Sequence, residues 1–153
     1  MNNLWGDVTR VLAAVGGFVA GLFGGWPATM TILVIFMAAD YLLGCVCALT
    51  GKSTKTNTGH FLSTVAFAGL LKKATIMLVV LLAVQLDKAV GGNAMFQTAA
   101  VFFYLANEGI SIIENCGLLG VPVPKVLKNA LEALRDKGDN GDDGTGNTGS
   151  ADG

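Results

Sequence analysis

Acidic side chains lie in this sequence where hydrocarbon is expected. The run "FFYLANEGISIIENCGLLG", residues 102–120, is apolar enough for a bilayer, yet it carries Asn107, Glu108, Glu114 and Asn115. Asp40 interrupts a second apolar run, residues 28–50. A charge at the bilayer centre costs about 2.5–3.5 kcal/mol on insertion scales, so embedded acids pair with partners or border water. Their chemistry would be pairing between helices, passage of ions or protons, or the wetting of a wall.

Spacing sharpens this. At about 100° per residue, Gln97, Asn107, Glu108, Ser111, Glu114 and Asn115 all fall within about 80° of Tyr104. Phe102, Leu105, Ala106, Gly109, Ile110, Ile113 and Cys116 occupy the other side, which suits lipid. The polar half is expected to meet protein or water, as an oligomer face or a pore lining. Glu108 lies nearer mid-membrane and is the member expected to act there. Glu114 lies close to the cytoplasmic end and reads as an interfacial residue.

Two further sets concern helix packing. Asp40 and Gly44 share a small-residue face that permits close approach, with Lys72 and Lys73 as possible partners for the acid. Ala13, Gly17, Gly21 and Gly25 recur every four residues and form a flat groove for another helix.

Catalytic sets are not found. His60 stands in a polar loop without a nearby cysteine or acid. The Gly-Lys-Ser at 51–53 lacks the earlier glycine of a phosphate loop, since position 46 is Val. Cys45, Cys47 and Cys116 lie in apolar runs without zinc-site spacing and read as small buried residues. No enzyme activity, cofactor, metal or nucleic-acid partner is expected.

The elements that position these residues follow from composition. The 153 residues are 52% hydrophobic and only 14% charged, against about 25% charged in soluble domains. An all-α membrane protein is expected, with three or four spans. A crossing needs about 20 apolar residues. Candidates are residues 11–25, short and glycine-rich, then 28–50, about 74–91, and 95–118.

Lys52, Lys55, Lys72 and Lys73 fall between the second and third candidates, and Lys125, Lys128, Arg135 and Lys137 after the fourth. The turn "DKAVGGNA" holds only Lys88. The positive-inside rule makes both basic regions cytoplasmic and that turn external. Lys72, Lys73, Lys125 and Lys128 are then basic anchors. Near the N-terminus Arg10 is offset by Asp7, so residues 1–27 are either interfacial or a further span.

Beyond the core at 28–120, "VPVPKVLKNALEALRDK" stops one helix and restarts another at its prolines. Val126, Leu127, Ala130, Leu131 and Leu134 oppose Lys128, Glu132, Arg135 and Lys137, an amphipathic helix within 121–137. It is expected on the cytoplasmic membrane surface or against a partner copy. Residues 138–153 carry four Asp and no base and read as a disordered aqueous tail.

Three stretches, "MAADYLLGCVCALTGK", "GLLKKATIMLVVLLAVQLD" and above all "FYLANEGISIIENCGLLGVPVPKVLKNALEAL", resemble the phage-lysis and toxin-secretion holin family of Gram-positive bacteria and their phages. The likeness covers roughly residues 37–137. It implies a small protein that accumulates in the bacterial cytoplasmic membrane, forms homo-oligomers and opens lesions at a set time. A cytosolic endolysin, or a large toxin, would leave through them. The long loop "KSTKTNTGHFLSTVAFAG" and the acidic tail depart from the family pattern. Two other classes fit the embedded acids: a small ion channel or transporter subunit, and a membrane adaptor without a pore.

Overall fold

Long apolar runs without prolines form helices, and glycine and proline end them. The computed structural model describes residues 2–55 and 63–140; His60 and the tail from 141 onward lie outside these. Among the described residues five helices follow in order: α1 (Asn2–Leu22), α2 (Ala28–Leu49), α3 (Ser63–Val90), α4 (Met95–Leu119) and α5 (Lys125–Asn140). Strands are absent among the described residues.

Three helices, α2, α3 and α4, are long and apolar enough to cross a membrane. At 1.5 Å per residue their 22, 28 and 25 residues exceed a hydrocarbon core of about 30 Å. α1 is not among the three. It starts nine residues before the expected run. Asp7 and Arg10 sit exposed on its surface, their side chains 3.4 Å apart, so they do not interrupt it.

Helix α4 is the hub, packing on α2, α3 and α5. The core takes Met30, Leu33 and Met37 from α2, and Ile76, Val80 and Val84 from α3. Val101 and Leu105 of α4 and Phe23 of the α1–α2 turn complete it. These recur at three- and four-residue spacing, one stripe per helix. The outward sides stay apolar too: Ile35 and Leu42 of α2, Leu78 and Leu82 of α3 are exposed. An apolar interior inside an apolar exterior is what a bilayer solvent selects.

The turns explain the bundle's shape. α1 ends where Gly24 and Gly25 take φ values of +69° and +111°, a left-handed region open to glycine. Gly25 N–H donates to the Ala20 carbonyl at 2.9 Å. The Leu22 carbonyl accepts from Gln85 Nε2 at 2.9 Å and from Lys88 Nζ at 3.2 Å. Gly25 therefore belongs to the turn, and the small-residue series on α1 stops at Gly21.

At the α3–α4 turn the Asp87 carboxylate accepts from Phe96 N–H at 3.0 Å and Gln97 N–H at 2.8 Å. α3 thus caps the first turn of α4, whose own N-cap residue, Ala94, offers no side-chain bond.

The last connection departs most from expectation. Val121 N–H closes on the Cys116 carbonyl at 2.9 Å, and after the prolines α5 runs back antiparallel along α4. A β-carbon on Gly109 would stand 2.7 Å from Leu131 Cδ2, and one on Gly138 2.5 Å from Phe103 N. Lys137 Nζ lies 6.0 Å from the Phe102 ring centroid. α5 therefore packs on its own chain instead of lying across the bundle end. It covers part of the α4 side expected to face lipid, and it continues past 137 because Gly138 fits against the α4 backbone.

Candidate charge cluster in the membrane core

Each of the three crossing helices contributes to one buried polar cluster. Asp40 stands near the middle of α2, Lys73 a few turns into α3, and Glu108 near the middle of α4. Lys73 Nζ donates to Asp40 Oδ2 at 2.8 Å and also contacts the Glu108 carboxylate. Asn115, two turns beyond Glu108 on the same side of α4, donates through Nδ2 to Asp40 Oδ1 at 3.0 Å. Cys47 Sγ in turn donates to the Asn115 carbonyl at 3.6 Å. Glu108 is 3% exposed and Asp40 and Asn115 6% each.

Position on the wheel dictates this local arrangement. Glu108 and Asn115, seven residues apart, share the α4 side that meets α2 and α3. One ammonium held by two carboxyls ties three helices at a single point. Burying the charges is costly by itself, but removing one partner from such a set typically costs about 3–5 kcal/mol.

The sequence offers Lys72 and Lys73 both as basic anchors and as partners for Asp40, and the two separate. Lys72 is exposed, while Lys73 is buried inside the bundle. The α3 helix accordingly begins at Ser63, eleven residues before the expected span. Because Lys73 has acids to meet inside, it does not mark the membrane edge.

A cavity of about 140 Å³ runs between α2 and α3, from Ser53 and Lys55 in the turn after α2 to Lys73 and Glu108. Gly44, Lys72 and Ser111 also border it. Gly44 faces open space here, since no heavy atom lies within 4 Å of the β-carbon it lacks. The expected close α2 contact at Gly44 is instead a gap that reaches the buried charges.

The other wheel residues disperse. Tyr104, Asn107 and Ser111 are half-buried and Glu114 is exposed. Tyr104 meets Phe103 edge-on at 5.3 Å. Gln97 uses its backbone N–H on Asp87, and its buried Nε2 has no partner. Ala13, Gly17 and Gly21 are exposed on α1, with nothing within 4 Å of Gly17 or Gly21. Lys125 and Lys128 are exposed at the start of α5, Lys128 lying 3.9 Å from Glu132.

Sequence reasoning did not single out Asp87 or the packing glycines Gly109 and Gly138. Asp87 carried a signal, an acid followed by a glycine-rich turn into a helix. The glycine pair carried none, because its partners are far apart in the chain.

Comparison with known proteins decides the family. The model of the bacteriophage holin family matches residues 17–136, most of the chain. The chain belongs to the bacteriophage holin family. Among relatives, a probable holin of Bacillus phage phi105 is 29% identical over 105 residues, covering 69% of this chain and 73% of that protein. A 14.9 kDa protein from the nagH 3′ region of Clostridium perfringens is 37% identical over 138 residues, 90% of this chain and 99% of its own length. A protein of Halalkalibacterium halodurans, BH0965, is 39% identical over 130 residues, 82% of this chain and 89% of its own. No solved structure matches. Holin membership and three apolar helices make this a multi-pass membrane protein. The Asp40–Lys73–Glu108 cluster and the cavity beside it lie within the matched residues.

Proposed function

We propose that the chain accumulates in the bacterial cytoplasmic membrane, forms homo-oligomers and opens lesions through which a cytosolic endolysin leaves. The observation that carries this reading is the closed charge cluster. With Lys73 held by Asp40 and Glu108, the three crossing helices of a single copy hide the charges they carry between them. Tyr104, Asn107, Ser111 and Glu114 retain exposed surface and are the α4 residues available to a neighbouring copy. The open groove at Ala13, Gly17 and Gly21 offers a second contact between copies.

Lys52, Lys55 and Lys72 at one end of the bundle, against Lys88 at the other, favour a cytoplasmic α2–α3 connection. The C-terminal end of α4 is then cytoplasmic as well. Export of a toxin would use the same lesion.

Co-expression with a cytosolic murein hydrolase tests the reading. Abrupt lysis after a delay is expected. Depolarisation without release of the hydrolase would instead mark an ion channel or transporter subunit, a reading the cavity leading to buried charges favours. Neither effect would mark an adaptor.

A further inference from the structure

Resting on the lesion-forming reading, we propose that α5 lies in the membrane along α4 and that its polar face is the water-facing wall of the lesion. Leu131 packs at Gly109 and Gly138 fits against the backbone of Ala99 and Phe103. These contacts run from mid-depth of α4 almost to its start. Lys125, Lys128, Asp136 and Asp139 of α5 are exposed and Glu132 and Arg135 half-exposed, three bases and three acids beside the exposed Val126. Glu132 stands level with Glu108, the middle of a crossing helix. Hydrocarbon against that face would desolvate charges at the bilayer centre, so the hairpin is compatible with a bilayer only where water or the polar face of another copy borders α5, and the open lesion supplies the water.

The α4 residues do not supply the same wall. Glu108 and Asn115 are bound inside the chain, whereas the α5 charges are exposed to half-exposed. Balanced signs at 3.9 Å, Lys128 with Glu132 and Arg135 with Asp136, give a wetted surface with little net field. Such a wall suits passage of a folded protein over selection of one ion.

The test uses the full chain, with its three native cysteines replaced by serine, carrying Gly109→Cys and Leu131→Cys. Cysteine at 131 removes the bulk that a side chain at 109 would meet. In cells co-expressing a murein hydrolase and treated with the thiol oxidant diamide, the intrachain disulfide should form, the oxidised chain should still release the hydrolase, and Glu132→Cys in a separate chain should react with a charged thiol reagent during lysis while Leu131→Cys alone stays protected. Hydrolase release without the disulfide, or release that requires a reductant, would overturn the inference and leave the lesion-forming reading intact. Failure of the unsubstituted chain to release hydrolase would overturn both. A second variant needs no cysteine: Gly138→Leu places a side chain where the α4 backbone stands and should abolish release while the chain still accumulates. Unchanged lysis timing in that variant would overturn the inference.

Discussion

Replacing Lys73 by Met would leave the Asp40 and Glu108 carboxyls close together with no cation between them. The expected cost is about 3–5 kcal/mol, read as loss of membrane-accumulated chain or a lower denaturation midpoint in detergent. Converting all three residues to apolar ones of similar volume should restore most of that stability, because uncharged packing leaves nothing unpaired. Accumulation of Lys73→Met at the unsubstituted level would contradict the cluster's role in holding the bundle. Glu108→Gln removes charge and keeps shape, and Glu108→Leu removes both; each should shift the time of lysis. If neither moves it, the cluster does not govern opening. Of these residues, Asp40, Lys73, Glu108 and Asn115 stand out in the sequence as polar groups in apolar runs. That Lys73 turns inward while Lys72 turns out depends on a 100° step about α3 and on acids from two other helices, which a linear pattern does not reveal.

Among the elements, α2 and α4 are legible to within a residue or two, since each is one apolar run bounded by Pro27, Thr50, Ala94 and Gly120. The starts of α1 and α3 are not. Charged residues inside a helix read as its end, whether they are solvated as at Asp7 and Arg10 or paired inside as at Lys73. The direction of α5 is also hidden, because amphipathicity tells which face is apolar and not what covers it. Gly109 and Gly138 decide that through contacts between distant positions. The Asp87 cap makes an element-level prediction: Asp87→Ala should destabilise the start of α4 by about 0.5–2 kcal/mol. Amide exchange at Phe96 and Gln97 should speed up first. Unchanged protection there would show that the carboxylate bonds contribute nothing.

For the whole molecule, three crossing helices form a core with α1 outside it. Leu4, Trp5, Val8, Val11, Leu12, Val15 and Phe18 leave an apolar stripe along α1 exposed, which a lipid environment would cover. Leu4→Cys labelled by an impermeant reagent in intact cells distinguishes the two placements of the N-terminus. Labelling means three spans with α1 at the outer surface; protection means a fourth crossing. Opening that passes folded protein leaves two signals that can be followed at once. Membrane potential and the appearance of an active cytosolic murein hydrolase outside the membrane are followed together after expression of the chain. The potential should collapse and the enzyme emerge in one step after a delay. Collapse of the potential with the enzyme retained inside would contradict passage of folded protein.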